Sequence, residues 1–195
     1  MAGTQRQDQK LKTRNHIIEI ALKQFAKDGL TLARTADIAS AANVSHGTIF
    51  SHFKTREILL DEVIEEFGRR ITTRLHELVS SDCEMRDVLE AHLRGISEYE
   101  TFYTRLILES RLLNESSRNS IIMIQSAISF HIIQVAERDI KECKIREIPL
   151  DLIFNTWIGL VHHYLINSDL YTKEGTLFDA HGKRLIDHFL NLLNK

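Results

Sequence analysis

Arg34-Thr35-Ala36-Asp37-Ile38-Ala39-Ser40-Ala41-Ala42-Asn43-Val44-Ser45-His46-Gly47-Thr48-Ile49-Phe50-Ser51-His52-Phe53-Lys54 is the stretch from which the fold is read. Ala36, Ile38, Ala39, Ala41 and Ala42 belong to one short helix. Asn43 and Val44 make a tight turn, and Ser45 is placed to cap a second helix over His46 to Phe53. The alanines are small enough to let the two helices cross closely, with Val44 filling the angle between them. Ile49 and Phe53 face inward and anchor the second of the pair. Ser45, His46, Gly47, Thr48, Ser51 and His52 are left on its outer side. Gly47 costs about 1 kcal/mol of helix propensity relative to alanine, and close approach of the backbone to a partner surface accounts for that cost.

Working outward, a helix over about Lys10 to Lys27 precedes this pair. Its apolar residues Ile17, Ile18, Ala21, Leu22 and Phe25 recur at helical spacing, and Gly29 follows as a stop. Three helices in about fifty residues, the last one short and presenting hydroxyl, imidazole and glycine positions, suit insertion into a DNA major groove. Charge agrees. Residues 1–56 hold nine Lys/Arg against four acids, a balance of +5, so with a total of −2 the remainder carries −7. Such a chain approaches phosphate with one end only. Arg6, Lys10, Lys12 and Arg14 form an N-terminal arm that reaches the minor groove or backbone, or stays a solvated tail.

Downstream, a long helix is expected from near Thr55, striped by Leu60, Ile64, Phe67, Ile71, Leu75 and Leu78. Glu57, Asp61, Glu62, Glu65 and Glu66 read as its solvated face. Further helices are expected over about Arg86–Glu100, Phe102–Leu113 and Glu115–Lys141. Pro149 then falls in the first turn of another helix, followed by a loop over Asn167–Gly175 and a last helix through Leu193. A single proline and eight glycines in 195 residues fit this all-α reading of about nine helices. The division expected is a helix-turn-helix DNA-binding domain over 1–56 (the helix-turn-helix itself about 34–53) and a helical domain over 57–195.

The resemblance to a known family rests on Gly29, then Asp37-Ile38-Ala39, then Ala42-x-Val44-Ser45-x-Gly47-Thr48-Ile49, then His52-Phe53-Lys54-x-Arg56-Glu57-x-Leu59. Over roughly Ile17 to Leu60 the chain resembles the TetR family of bacterial transcriptional regulators. That resemblance implies a three-helix DNA-binding domain joined by a long fourth helix to a ligand-binding, dimerising helical domain. It also implies double-stranded DNA with a palindromic operator as partner, a small-molecule effector, a homodimer, and repression relieved by the effector. Activation or nucleoid organisation without a small-molecule signal is the alternative. The residues expected at DNA are Arg34, Thr35, Ser45, His46, Gly47, Thr48, Phe50, Ser51, His52 and Lys54. Of these His46, Thr48 and Ser51 are base readers, and Arg34, Thr35, His52 and Lys54 phosphate contacts. Two departures stand out. Phe50 replaces the family's usual tyrosine, keeping the packing and losing a phosphate bond, and Arg34-Thr35 replaces paired threonines.

In the C-terminal part, His92, Tyr99 and Gln125 lie on apolar helix sides, where they pack in a core or line a ligand pocket with Tyr103 and Trp157. The stripes of the last two long helices are expected at a dimer seam: Trp157, Leu160, Val161, Tyr164, Leu185, His188, Phe189 and Leu192. The same residues could instead pack inward on the pocket helices. No metal or cofactor is expected. His162 and His163 point about 100° apart on a helix, and Cys83 and Cys143 are widely separated with no C-x-x-C. No G-x-S-x-G or comparable motif suggests an enzyme. The polar N-terminus and the lack of a long uninterrupted apolar run lead to the expectation of a cytoplasmic chain without a membrane span.

Overall fold

The helical periods translate into helices throughout the computed structural model, which describes residues 2–79 and 82–195. In chain order these are α1 (Ala2–Asp28), α2 (Thr35–Ala41), α3 (His46–His52), α4 (Arg56–Leu78), α5 (Met85–Ser97) and α6 (Glu100–Glu109). A 3-10 turn (Ser110–Leu112) leads to α7 (Glu115–Lys141), α8 (Leu150–Ile166), α9 (Ser168–Tyr171) and α10 (Leu177–Leu193). No strand occurs among the described residues. The tenth helix is the single turn α9, inside the stretch expected as a loop. Pro149 stands one residue earlier than expected, at the N-cap position of α8.

α1 begins eight residues before the expected start at Lys10. Residues 5–12 are exposed and almost all polar, so no apolar period marks them, and the Thr13 hydroxyl donates back to the Gln9 carbonyl at 3.0 Å. The N-terminal arm is therefore a helix. Its Arg14 is engaged, pairing with Glu62 of α4 at 2.5 Å and lying 5.2 Å from the Phe53 ring centroid. Gly29 ends α1 at φ +95°, in the left-handed region that glycine occupies without a Cβ penalty.

Two compact units emerge, and they do not follow chain order. One takes Met1–Phe67 with Thr101–Ile121; the other takes Gly68–Glu100 with Ile122–Lys195. By packing, the first of these units runs past residue 56 to Phe67, and α6 joins the N-terminal helices in it. Aromatic packing is the physical reason: Phe67 of α4 lies 5.1 Å from the Phe102 ring and stacks 5.8 Å from Tyr103, both in α6. Ile17, Phe25, Leu30, Ile38, Ile49, Phe53 and Leu59 complete that unit's core. The acidic face of α4 is also less solvated than expected, since Asp61 accepts from the Ser117 hydroxyl and Glu62 holds Arg14.

The second unit packs α5, α8 and α10 together, with the Trp157 ring 5.2 Å from Phe189. α7 is long and apolar enough to cross a membrane by composition, but Ile128, Ile132 and Ala136 along it are buried in the protein. Four residues expected at the dimer seam are used inside the protomer: Trp157, Val161, Leu185 and Phe189 are fully buried. α8 is apolar around most of its circumference, so periodicity could not tell its inward stripe from its outward one. Leu160 and Tyr164 are half-buried, and His188 and Leu192 are exposed. A second stripe of α8, comprising Leu152, Thr156, Gly159, His163 and Ile166, lies open to solvent.

Candidate nucleic-acid interface

α3 is seven residues long, too short to persist alone, and is held from both ends. At its start the Ser45 hydroxyl accepts from the Thr48 backbone N–H at 3.0 Å, the expected cap. At its end the Phe53 side chain is buried and its N–H donates to the Ile49 carbonyl at 2.8 Å. Asn43, at φ +52°, makes the turn from α2. α1 braces the pair, since His16 Nε2 lies 3.1 Å from the Ala42 carbonyl at the end of α2.

With Ile49 inward, the outer face of α3 carries Ser45, His46, Gly47, Phe50 and Ser51 exposed, with Thr48 half-buried beside them. Gly47 has open space around its missing Cβ, the nearest atom being the Ser45 hydroxyl at 3.7 Å. Its absence of side chain is thus not demanded by the protein's own packing. The hydroxyls are partly committed: Ser45 and Thr48 bond each other at 2.8 Å, and Ser51 donates to the Thr48 carbonyl at 2.8 Å. Ser51 Oγ therefore has only lone pairs left to offer.

Phe50 departs from the packing role expected of it. It is 39% exposed, and its ring meets His46 edge-on at 4.9 Å. Thr35 departs too: its hydroxyl lies 2.9 Å from His46 Nε2, so it faces α3. Arg34 is exposed at the N-cap of α2 and Lys54 is exposed after α3, both open to an anion. His52 is half-buried. Burial, and then the charges of Lys10 and Arg14, hold its pKa below the ordinary histidine value. Its Nδ1 is buried and unpartnered.

Two charged side chains that the motif reading left without a role fix the turn between α1 and α2. Arg56, at the start of α4, donates to the Ala33 carbonyl at 2.8 Å and to the Leu30 carbonyl, over the Phe25 ring. Glu109, at the end of α6, accepts from Leu30 N at 3.1 Å and from Thr31 N and Oγ1, each at 2.8 Å. A Cβ on Gly29 would come within 2.9 Å of the same carboxylate. Nothing in the spacing of Glu109, some eighty residues downstream, marks it as a partner of this turn.

The expected pocket residues do not form one group. His92 is 1% exposed and accepts from Trp157 Nε1 at Nδ1, 2.9 Å away. Its proton therefore sits on Nε2, which is buried without a partner. Burial and nearby His162 push the His92 pKa down to about 3. Tyr99 bonds Arg70, Gln125 is half-buried, and Tyr103 belongs to the other unit. A cavity of about 550 Å³ in the second unit is lined instead by residues including Cys83, His131, Gln134 and Arg138.

Residues 17–63 match the model of a family described as bacterial regulatory proteins, tetR family. The transcriptional regulator LuxR of Vibrio harveyi is 39% identical over 77 residues, covering 40% of this chain but only 38% of that protein. The probable acrEF/envCD operon repressor of Escherichia coli K12 is 24% identical over 87% of this chain and 84% of its own length. The fold is similar to that of the transcriptional regulator FadR from Bacillus subtilis, solved with stearoyl-CoA. That comparison gives a TM-score of 0.73 at 19% identity, over 89% of this chain and 96% of FadR.

Proposed function

The chain belongs to the TetR family of bacterial transcriptional regulators, and from that premise we propose that it is a sequence-specific, homodimeric DNA-binding repressor released by a small-molecule effector. The observation that carries the reading is the outer face of α3. Small or hydrogen-bonding residues stand there on a helix anchored by Ile49 and Phe53, beside exposed Arg34 and Lys54. A groove admits a helix only where side chains do not hold it off, and Gly47 lets the backbone in. Ser45, Thr48, Ser51 and His46 face base edges, while Arg34, Lys54 and the His52 ring meet phosphates.

Dimerisation would use the outward stripe of α8 (Leu152, Thr156, Gly159, His163 and Ile166) with Leu160, Tyr164, His188 and Leu192 at its borders. A Cβ placed on Gly159 would meet nothing within 4 Å, so a partner helix could approach its backbone closely. Two such protomers place two α3 helices on a palindromic operator. For the effector, support comes from the unpartnered Nε2–H of His92 in an apolar core, a donor suited to orienting a mostly apolar molecule. FadR, a structural relative, holds stearoyl-CoA. The grip of Glu109 on Leu30 and Thr31 gives a release step, because moving α6 would loosen the turn that feeds α2. Titration of the protein against genomic operator fragments from 50 to 200 mM salt tests the reading. Affinity should fall by orders of magnitude across that range on the basis of phosphate neutralisation, and a flat response refutes it.

A further inference from the structure

Thr35 stands at the start of α2, eleven residues from His46, and its hydroxyl meets the His46 ring at Nε2, 2.9 Å away. The ring is pinned a second time by Phe50, one turn along α3, at 4.9 Å and 89°. Both contacts hold the imidazole at the exposed end of α3, where a mobile side chain would otherwise lose rotamer freedom on binding. In a neutral imidazole one nitrogen donates and the other accepts. The bond between the Thr35 hydroxyl and Nε2 can run either way. Nε2–H donating to the hydroxyl leaves Nδ1 an acceptor, whereas the hydroxyl donating to Nε2 leaves the ring proton on Nδ1. The second arrangement is the one taken up below. Among the described residues nothing bonds Nδ1.

We propose that Thr35 is a positioning residue that presets His46 as an Nδ1–H donor reading the N7/O6 edge of one guanine per half-site, with the exposed Phe50 ring packing on a neighbouring thymine methyl. This rests on the DNA-reading role of α3 proposed above and assigns Thr35 away from phosphate. Guanine offers two acceptors side by side in the major groove, and thymine alone offers a methyl group. Ser51, whose hydroxyl proton is spent on the Thr48 carbonyl, is restricted to base-pair donors such as adenine N6 or cytosine N4. The face thus has a defined polarity: donor at His46, apolar at Phe50, acceptor at Ser51.

The test uses the full chain and a randomised-duplex selection, followed by binding titrations on the selected duplex with single guanines replaced by 7-deazaguanine. The wild type should select a guanine whose 7-deaza replacement lowers affinity about tenfold, the scale of one base contact. Thr35→Val should erase most of that penalty and flatten the selected motif at the same base pair, and Thr35→Ser, which keeps the hydroxyl, should restore both. Thermal melts of the variants establish that each is folded. Uniform weakening by Thr35→Val on selected and random duplex alike would mark a phosphate contact and overturn the proposal, as would an unchanged motif. A wild-type chain that enriches no sequence at all would refute the DNA-reading function itself, a result distinguishable from either.

Discussion

Acidification from pH 7 to pH 5 should destabilise the protein chiefly through two imidazoles withdrawn from solvent, His92 and His162. His92 is 1% exposed, and burial together with His162 lowers its pKa to about 3. An unfolded chain returns it to the ordinary value of about 6.5. The depressed value means that the unfolded state binds this proton first, so stability is whole above about pH 6.5 and is lost as pH falls toward 3. Integrating between those values, the loss from pH 7 to pH 5 is about 2 kcal/mol for His92. His162, lowered by burial to about 4, acts in the same direction and with similar weight over that interval. For a chain of this length about 4 kcal/mol corresponds to a fall in melting temperature of roughly 10 °C. Urea unfolding at both pH values measures it. His92→Gln keeps an acceptor for Trp157 and removes the titration, so its own pH-dependent loss should be smaller by about 2 kcal/mol. An equal loss in variant and wild type would show that His92 is not held neutral in the folded chain, and the reasoning from its burial would fail.

Three further outcomes are expected. Glu109→Ala removes a charged acceptor from Leu30 and Thr31 and should cost about 2 kcal/mol of stability together with operator affinity; unchanged operator binding in electrophoretic shifts would exclude α6 from the reading head. Thr48→Ala should weaken operator binding by an amount that depends on base sequence, roughly 1–3 kcal/mol, whereas Lys54→Ala should weaken operator and random DNA alike. Equal losses on both DNAs for both variants, in parallel anisotropy titrations, would contradict the division between readers and positioners. Leu152→Glu with Ile166→Glu places charge on exposed positions of α8 and should yield a folded monomer by sedimentation velocity; a dimer would locate the seam elsewhere.

What was legible in the sequence follows what periodicity can carry. α7 falls where its pattern put it, and Ser45, Ile49 and Phe53 play the parts their spacing assigned. The first turns of α1 were hidden because an exposed polar helix has no apolar stripe. The inward side of α8 was hidden for the opposite reason, since Leu152, Trp157, Val161 and Ile166 leave few polar positions to break the symmetry. Glu109 and the Thr35–His46 bond are long-range polar contacts, and a single sequence records neither as a pattern. Motif resemblance singled out Thr35 as a phosphate contact, yet only the fold reveals that its hydroxyl points at another side chain.

The grip of Glu109 on the turn at Leu30 and Thr31 sets a rule for anyone splicing this regulator. A cassette cut after α4 would carry away the reader but leave behind the carboxylate that satisfies two of its backbone amides and sits against Gly29. Grafted onto a foreign sensor, that cassette would present a loosened turn unless the host's own sixth helix brought an acid to the same place. The transplantable piece is discontinuous: Met1–Phe67 must travel with Thr101–Ile121. Sensor swaps made at a boundary drawn by sequence alone are therefore expected to bind DNA weakly, and carrying Thr101–Ile121 along should recover them.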